Sequence, residues 1–201
     1  MAATELDQES TEKERASVKV GIAPTIGVWD VDPTHSEAEF AVKHLMISTV
    51  TGRIAIARGT LYIDEAEPEL SRVEVELDVG SIDTGVKDRD AHLRSGDFFD
   101  AENNPRIIFR STRIERRGEG TGRIFGFLTI RGVTREVALD AEFEGEAKDP
   151  WGNRRAAFSA TTQILRSDFG LTWNQILETG GVLVGDKVRI SLRIEAVQRK
   201  S

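Results

Sequence analysis

The chain has 201 residues, 39% of them hydrophobic and 30% charged, enough for one domain with a packed core. A formal charge of −7 disfavours a basic nucleic-acid-binding face, so no nucleic-acid partner is expected. With no cysteine there are no disulfides, thiolate metal sites or cysteine nucleophiles, and no apolar run approaches the ~18 to 20 residues that cross a bilayer.

Residues 1–26 are polar, carry no usable apolar period, and read as a flexible arm; the alternative is a short helix over Glu5–Ala16 docked on the body. Their acidic residues stand where a secretory signal would be basic and then apolar, so a cytoplasmic location is expected. Residues 27–201 read as a single β domain. From Gly27 the apolar period is two, the mark of half-buried strands. Over 36–43, Ala38, Phe40 and Val42 alternate with Glu37, Glu39 and Lys43. The next strand, 52–64, breaks phase: Ile54 and Ile56 share a parity that Leu61 and Ile63 do not, and Gly59 between them predicts a bulge or bend. Over 72–79, Val73, Val75, Leu77 and Val79 oppose Glu74, Glu76 and Asp78.

One helix is predicted, over 81–96, with Asp83 or Thr84 as N-cap and Gly96 as the stop. Val86 and Leu93 share its apolar face, and Phe98 and Phe99 follow the glycine break. Asp88 and Asp90 suit local bonds to His92 and Arg94. Further strands follow at 106–116, 121–132, 135–145, 153–166 and 187–197. Counting 27–43 as one region gives about eight long strands with a polar side each, which fits a sandwich or a closed barrel. An eight-stranded barrel is just wide enough to hold side chains or one slender ligand.

No metal site and no cofactor are expected. His35 and His44 lie about 30 Å apart on a straight strand, at ~3.3 Å per residue, and His92 has no histidine three or four positions away. Most carboxylates fall on the polar parity of strands. No GxSxG, P-loop or GxGxxG motif occurs, so no catalytic residue is assigned and the protein is not expected to be an enzyme.

Five blocks, in order from about Trp29 to Ala196, resemble the YceI-like family of polyisoprenoid-binding, lipocalin-like proteins. They are the opening "WDVDPTHSEAEFAVKH", the central "TGVKDRDAHLRSGDFFD", the strand "NPRIIFRST", the hairpin "GFLTIRGVT" and the closing "RSDFGL" with "VGDKVRISLRIEA". One departure is Asn104, where the family often has tyrosine. The resemblance implies an all-β protein, an extended eight-stranded antiparallel barrel with one or two short helices, often a homodimer. It also implies an apolar pocket for an isoprenoid or fatty chain, with no cofactor and no established catalysis.

Inward parity then nominates the lining of such a pocket. The strand candidates are Phe40, Val42, Ile54, Ile56, Val75, Leu77, Phe109, Phe127 and Phe158, with Leu139, Phe143, Ile190 and Leu192 sharing the same parity. From the helical segment come Leu93, Phe98 and Phe99. A polar head group would meet His44, His92 and Trp173 at the mouth, beside Arg89, Arg94 and an Arg166–Asp168 network. Two other readings stand beside the carrier: a solid interaction barrel without ligand, and a lipid-acting enzyme with His92 as base.

Overall fold

Alternation of apolar and charged side chains leaves each extended segment one face to bury, and only a curled sheet buries all those faces together. The structure is a computed structural model that describes residues 26–178 and 181–200; the expected arm lies outside the described residues apart from the backbone of Ile26. The strands are β1 (Ile26–Val31), β2 (Glu37–His44), β3 (Ser48–Ile54), β4 (Ile56–Asp64), β5 (Arg72–Asp78), β6 (Arg106–Gly118), β7 (Thr121–Ile130), β8 (Val133–Lys148), β9 (Arg154–Leu165) and β10 (Val184–Gln198). All neighbours are antiparallel. β4 through β10 pair in the order β4-β5-β6-β7-β8-β9-β10, and β1 bonds both β4 and β10, which closes eight strands into a barrel.

β2 and β3 extend that barrel. β10 pairs with β1 at Ala196–Gln198 and with β2 from Arg193 back to Val184, so β1 and β2 run along it as one bent strand. Likewise β3 and β4 are parted by Ala55 alone. Reading 27–43 as one region therefore gave the right strand count. The phase break is real but displaced. The extra residue is Ala57, where the β4–β5 register shifts between Ile56 and Arg58. Gly59 serves close packing instead, since a Cβ there would meet Val31 at 2.5 Å.

The helix α1 (Lys87–Arg94) lies between β5 and β6. Its N-cap is Val86, 47% exposed, so Val86 does not share a buried face with Leu93. Asp90 reaches back to the Thr84 amide (2.9 Å) and hydroxyl (2.5 Å) rather than to Arg94, whose guanidinium donates to the Ile82 carbonyl (3.2 Å). Arg131 fastens the helix exit from the other side, donating to the carbonyls of Gly96 (2.7 Å) and Gly170 (3.2 Å). Leu93 and Phe99 pack on the main core, which includes Ile107, Phe109, Leu128 and Phe169. The helix thus closes one end of the barrel.

An ionic knot holds the β1–β2 corner. Arg155 donates to Asp32 (2.9 Å), Asp149 (3.1 Å) and Glu195. Asp32 also accepts from the Thr34 hydroxyl (2.6 Å) and lies 3.0 Å from His35 Nδ1. These bonds, the Thr34 hydroxyl first and His35 second, hold the Asp32 carboxyl well below the usual carboxylate range. Burial works to raise Asp149, but hydrogen bonds from Asn153, Arg155 and the Trp151 amide outweigh it and bring it to about 2. Both groups are lowered on folding, so their stabilisation is present above the unfolded carboxylate range near ~4 and is lost as pH falls toward 2. Thermal melts are expected to show Tm falling by on the order of 2–4 °C across that window in addition to any general acid effect. Arg155→Met should shrink this acid limb without abolishing it, since Thr34, His35 and Asn153 still hold the two carboxyls low, and an unchanged limb in that variant would remove Arg155 as a contributor.

Candidate functional site

The barrel interior is not filled. Phe40, Leu77, Ile107, Phe109, Leu128, Leu139, Phe158, Ile190 and Leu192 surround a cavity of about 680 Å³, within the range of small-molecule sites. The space survives because several wall positions are small. Gly122, Ala141 and Ala160 face one another across β7, β8 and β9 in one row. Two aromatic rings lie close over glycine. A Cβ on Gly52 would fall 2.4 Å from Phe40 Cζ, and one on Gly126 would fall 2.6 Å from Phe109 Cζ. A larger residue at Gly52 would displace the Phe40 ring, and one at Gly126 would strike both the Phe109 ring and, at 2.4 Å, the Arg110 carbonyl.

The two ends differ. At the helix end the lining consists of Leu93, Phe98, Phe99, Ile130, Arg166 and Leu171. Phe98, Ile130, Arg166 and Leu171 are buried there. At the far end the lining includes Glu65, Arg72, Arg116, Gly118, Thr121, Glu142 and Glu146, all exposed. The mouth is therefore framed by the β4–β5 turn, the β6–β7 hairpin and the outer half of β8, with the Phe143 and Phe158 rings beside it, 5.4 Å apart and tilted by 50°. A second, shallower groove of about 510 Å³ runs outside β7–β9 among Arg123, Arg135, Glu136 and Asp140.

Of the nominated residues, Phe40, Val42, Ile54, Ile56, Val75, Leu77, Leu93, Phe98, Phe99, Phe109 and Phe158 stand on the cavity wall. Four do not. Phe127 points outward and is 50% exposed, because Gly126 and Leu128 take the inward parity of β7. His44 ends β2 at the turn into β3, off the cavity. His92 bonds Asp97 (3.0 Å), not Asp88, and packs edge-on to Trp173 (4.6 Å) and Phe98 (5.1 Å). That pair sits behind the plug, on the closed end, so the expected polar mouth of His44, His92 and Trp173 is in the wrong place.

Arg166 is not paired with Asp168. The arginine is 6% exposed, and its guanidinium donates to the carbonyls of Gly185 (3.0 Å), Trp173 (2.9 Å), Val184 (3.3 Å) and Leu171. Burial lowers its proton affinity, with Asp186 acting in the opposite sense. Sequence reading also missed Trp29 and Asp64, both 1% exposed and both on the cavity wall. Trp29 shares the inward parity of Val31 and could have been found that way. Nothing local marks Asp64 as buried.

Asp32, His35 and Glu195 bring their ligand atoms within 4.8 Å of one another. Arg155 already lies against both carboxylates, so the cluster is neutralised by a cation of the chain itself. His35 joins this cluster through a neighbouring turn rather than through His44.

A closed antiparallel barrel with a plugged end, an apolar lumen and an open charged rim defines a lipocalin-like binding fold. The model of the YceI-like domain matches residues 29–196, and the chain belongs to that family. A UPF0312 protein of Ectopseudomonas mendocina (strain ymp) is 41% identical over 143 residues, 71% of this chain and 75% of that one. The crystal structure of the Campylobacter jejuni YCEI protein is 31% identical, with TM-score 0.67 over 79% of this chain and 90% of that chain. A polyisoprenoid binding domain from Saccharophagus degradans, implicated in plant cell wall breakdown, shares the fold at 13% identity and TM-score 0.62, over 87% of this chain and all of that one.

Proposed function

We propose that this protein binds a long-chain amphiphile, a polyisoprenoid or fatty-acid-like lipid, inside its barrel, and carries or sequesters it without chemical change. The observation that carries this reading is the unfilled apolar lumen of about 680 Å³, closed by α1 at one end and open at the other. Burying each methylene of a chain in such a wall stabilises the complex by ~0.8 kcal/mol, so affinity needs no dedicated polar contacts along the tail. Family membership and the likeness to a polyisoprenoid binding domain support the same ligand class.

The solid-barrel reading is disfavoured by the same lumen. A lipid-acting enzyme with His92 as base is disfavoured by position, since His92 faces Asp97 and Trp173 and is off the cavity wall. A homodimer, on the family resemblance, is part of this proposal. Among the described residues no helix is long and apolar enough to cross a membrane.

Solvent extraction of protein purified without detergent, followed by native mass spectrometry, tests the reading. A co-purifying lipid, or uptake of added isoprenoid with one-to-one stoichiometry per chain, is expected. A persistent apo mass in the presence of both isoprenoid and fatty ligands would overturn it.

A further inference from the structure

Near the open end of the cavity, two buried polar atoms on its wall lack any hydrogen-bond partner among the described residues: Trp29 Nε1 and Asp64 Oδ2. One is a donor and the other, on a carboxylate, an acceptor. A third such atom, Arg123 Nε, lies off the cavity and 3.5 Å from Asp140. Buried polar groups are nearly always paired, so two complementary orphans on the wall of one cavity point to something that pairs them from inside.

Backbone register sets them on adjoining strands at one end of the sheet, and both line the cavity. The Trp29 indole folds back over Gly27, where a Cβ would fall 2.9 Å from Nε1. Gly27 is cross-strand partner to Ile63, the residue before Asp64, and Asp64 itself pairs with Ile26. Neighbouring groups are already committed. Asp64 Oδ1 accepts from the amides of Ala66 (3.0 Å) and Glu67 (2.9 Å), so only Oδ2 is left over. Gln198, opposite Trp29 on β10, gives its Oε1 to Arg154 (3.2 Å). Arg154 stacks over the Trp29 ring at 5.3 Å and is held by Glu146 (2.6 Å) and Glu65 (3.1 Å).

We propose that Trp29 and Asp64 form the head-group subsite of the cavity, and that the bound chain ends in a neutral group that both accepts and donates a hydrogen bond, a primary alcohol or primary amide. The indole N–H donates to the oxygen of that group, and its O–H or N–H donates to Asp64 Oδ2. A phosphate ester is selected against, because it brings its negative charge up to a carboxylate. This inference rests on the lipid-binding reading above.

Calorimetric titration of the whole protein with geranylgeraniol, its methyl ether and its monophosphate tests it. The alcohol should bind about tenfold or more tightly than either of the others, the scale of one hydrogen bond to a charged group. The ether can still accept from Trp29 but cannot donate to Asp64. Asp64→Asn retains Oδ1 for the two turn amides and should bring alcohol and ether within about threefold while improving the monophosphate relative to both. Trp29→Phe should weaken alcohol and ether equally and leave their ratio intact. Equal binding of all three probes to the wild type, the result expected if a water alone bridges the orphans, overturns the subsite but leaves lipid binding standing. So does tightest binding of the monophosphate. An unchanged alcohol-to-ether ratio in Asp64→Asn also overturns it; should that variant fail to fold, the wild-type series and Trp29→Phe decide. Failure of every probe to bind removes the lipid-binding reading and the subsite together.

Discussion

Ala141→Phe is expected to weaken isoprenoid binding on the order of a hundredfold while leaving the melting temperature within a few degrees of wild type or above it. Ala141 sits between Gly122 and Ala160 in the row of small residues that keeps the lumen open. A phenyl ring there takes the place of roughly three to four methylenes of ligand, each contributing ~0.8 kcal/mol, or on the order of 3 kcal/mol in all. The fold gains the same contacts the ligand loses, since filling a void reverses the cost of a cavity. Phe127→Ser on the outer surface is the matched control and should leave affinity unchanged within about twofold. Titration with isoprenoid and a thermal melt check both variants. Wild-type affinity in folded Ala141→Phe would place the ligand outside the lumen.

Arg166→Met should cost about 3–5 kcal/mol of stability, lowering Tm by roughly 6–20 °C. This guanidinium ties the carbonyls of Leu171 and Trp173 to those of Val184 and Gly185. Removing it leaves several buried acceptors unpaired at the plugged end, and each unpaired acceptor costs the desolvation it can no longer recover. Arg166→Lys should recover only part, because a single ammonium cannot span the same carbonyls as a planar fork of donors. Denaturant unfolding of the three proteins measures this. A variant as stable as wild type would mean that solvent reaches those carbonyls after all.

Much of the architecture was legible because it is written in period. Ala38, Phe40 and Val42 on β2, and Val75 and Leu77 on β5, turn the same way in the strand as they do in the sequence. Where parity failed, two readings were both apolar. On β7, "FGFLTI" can send either Phe125 and Phe127 inward or Gly126 and Leu128, and the sequence reading took Phe127 inward. The deciding contact is non-local: Phe109 on β6 needs the space over Gly126. Outside the barrel, Arg113 lies 3.5 Å above the Phe125 ring and gives that face a use no alternation rule would supply. The Gly59 bend was misplaced by two residues for a similar reason, since the glycine answers to Val31 on another strand.

Local chemistry misled most at the ends. His92, Trp173 and Arg166 have the composition of a ligand-binding rim, yet they brace the closed end. The open rim is built from Arg72, Arg116, Glu65 and Glu142, which look in sequence like ordinary solvated strand ends.

By itself the amino-acid sequence determined the strands, their approximate count, the single helix and the family, because alternation, glycine breaks and ordered motif blocks act over a few residues each. Which end of the barrel is open, which glycines make room for rings from other strands, and that Trp29 and Asp64 share one wall were decided only by closure. Those facts depend on register between segments far apart in the chain, and register is settled by the simultaneous packing of all eight staves.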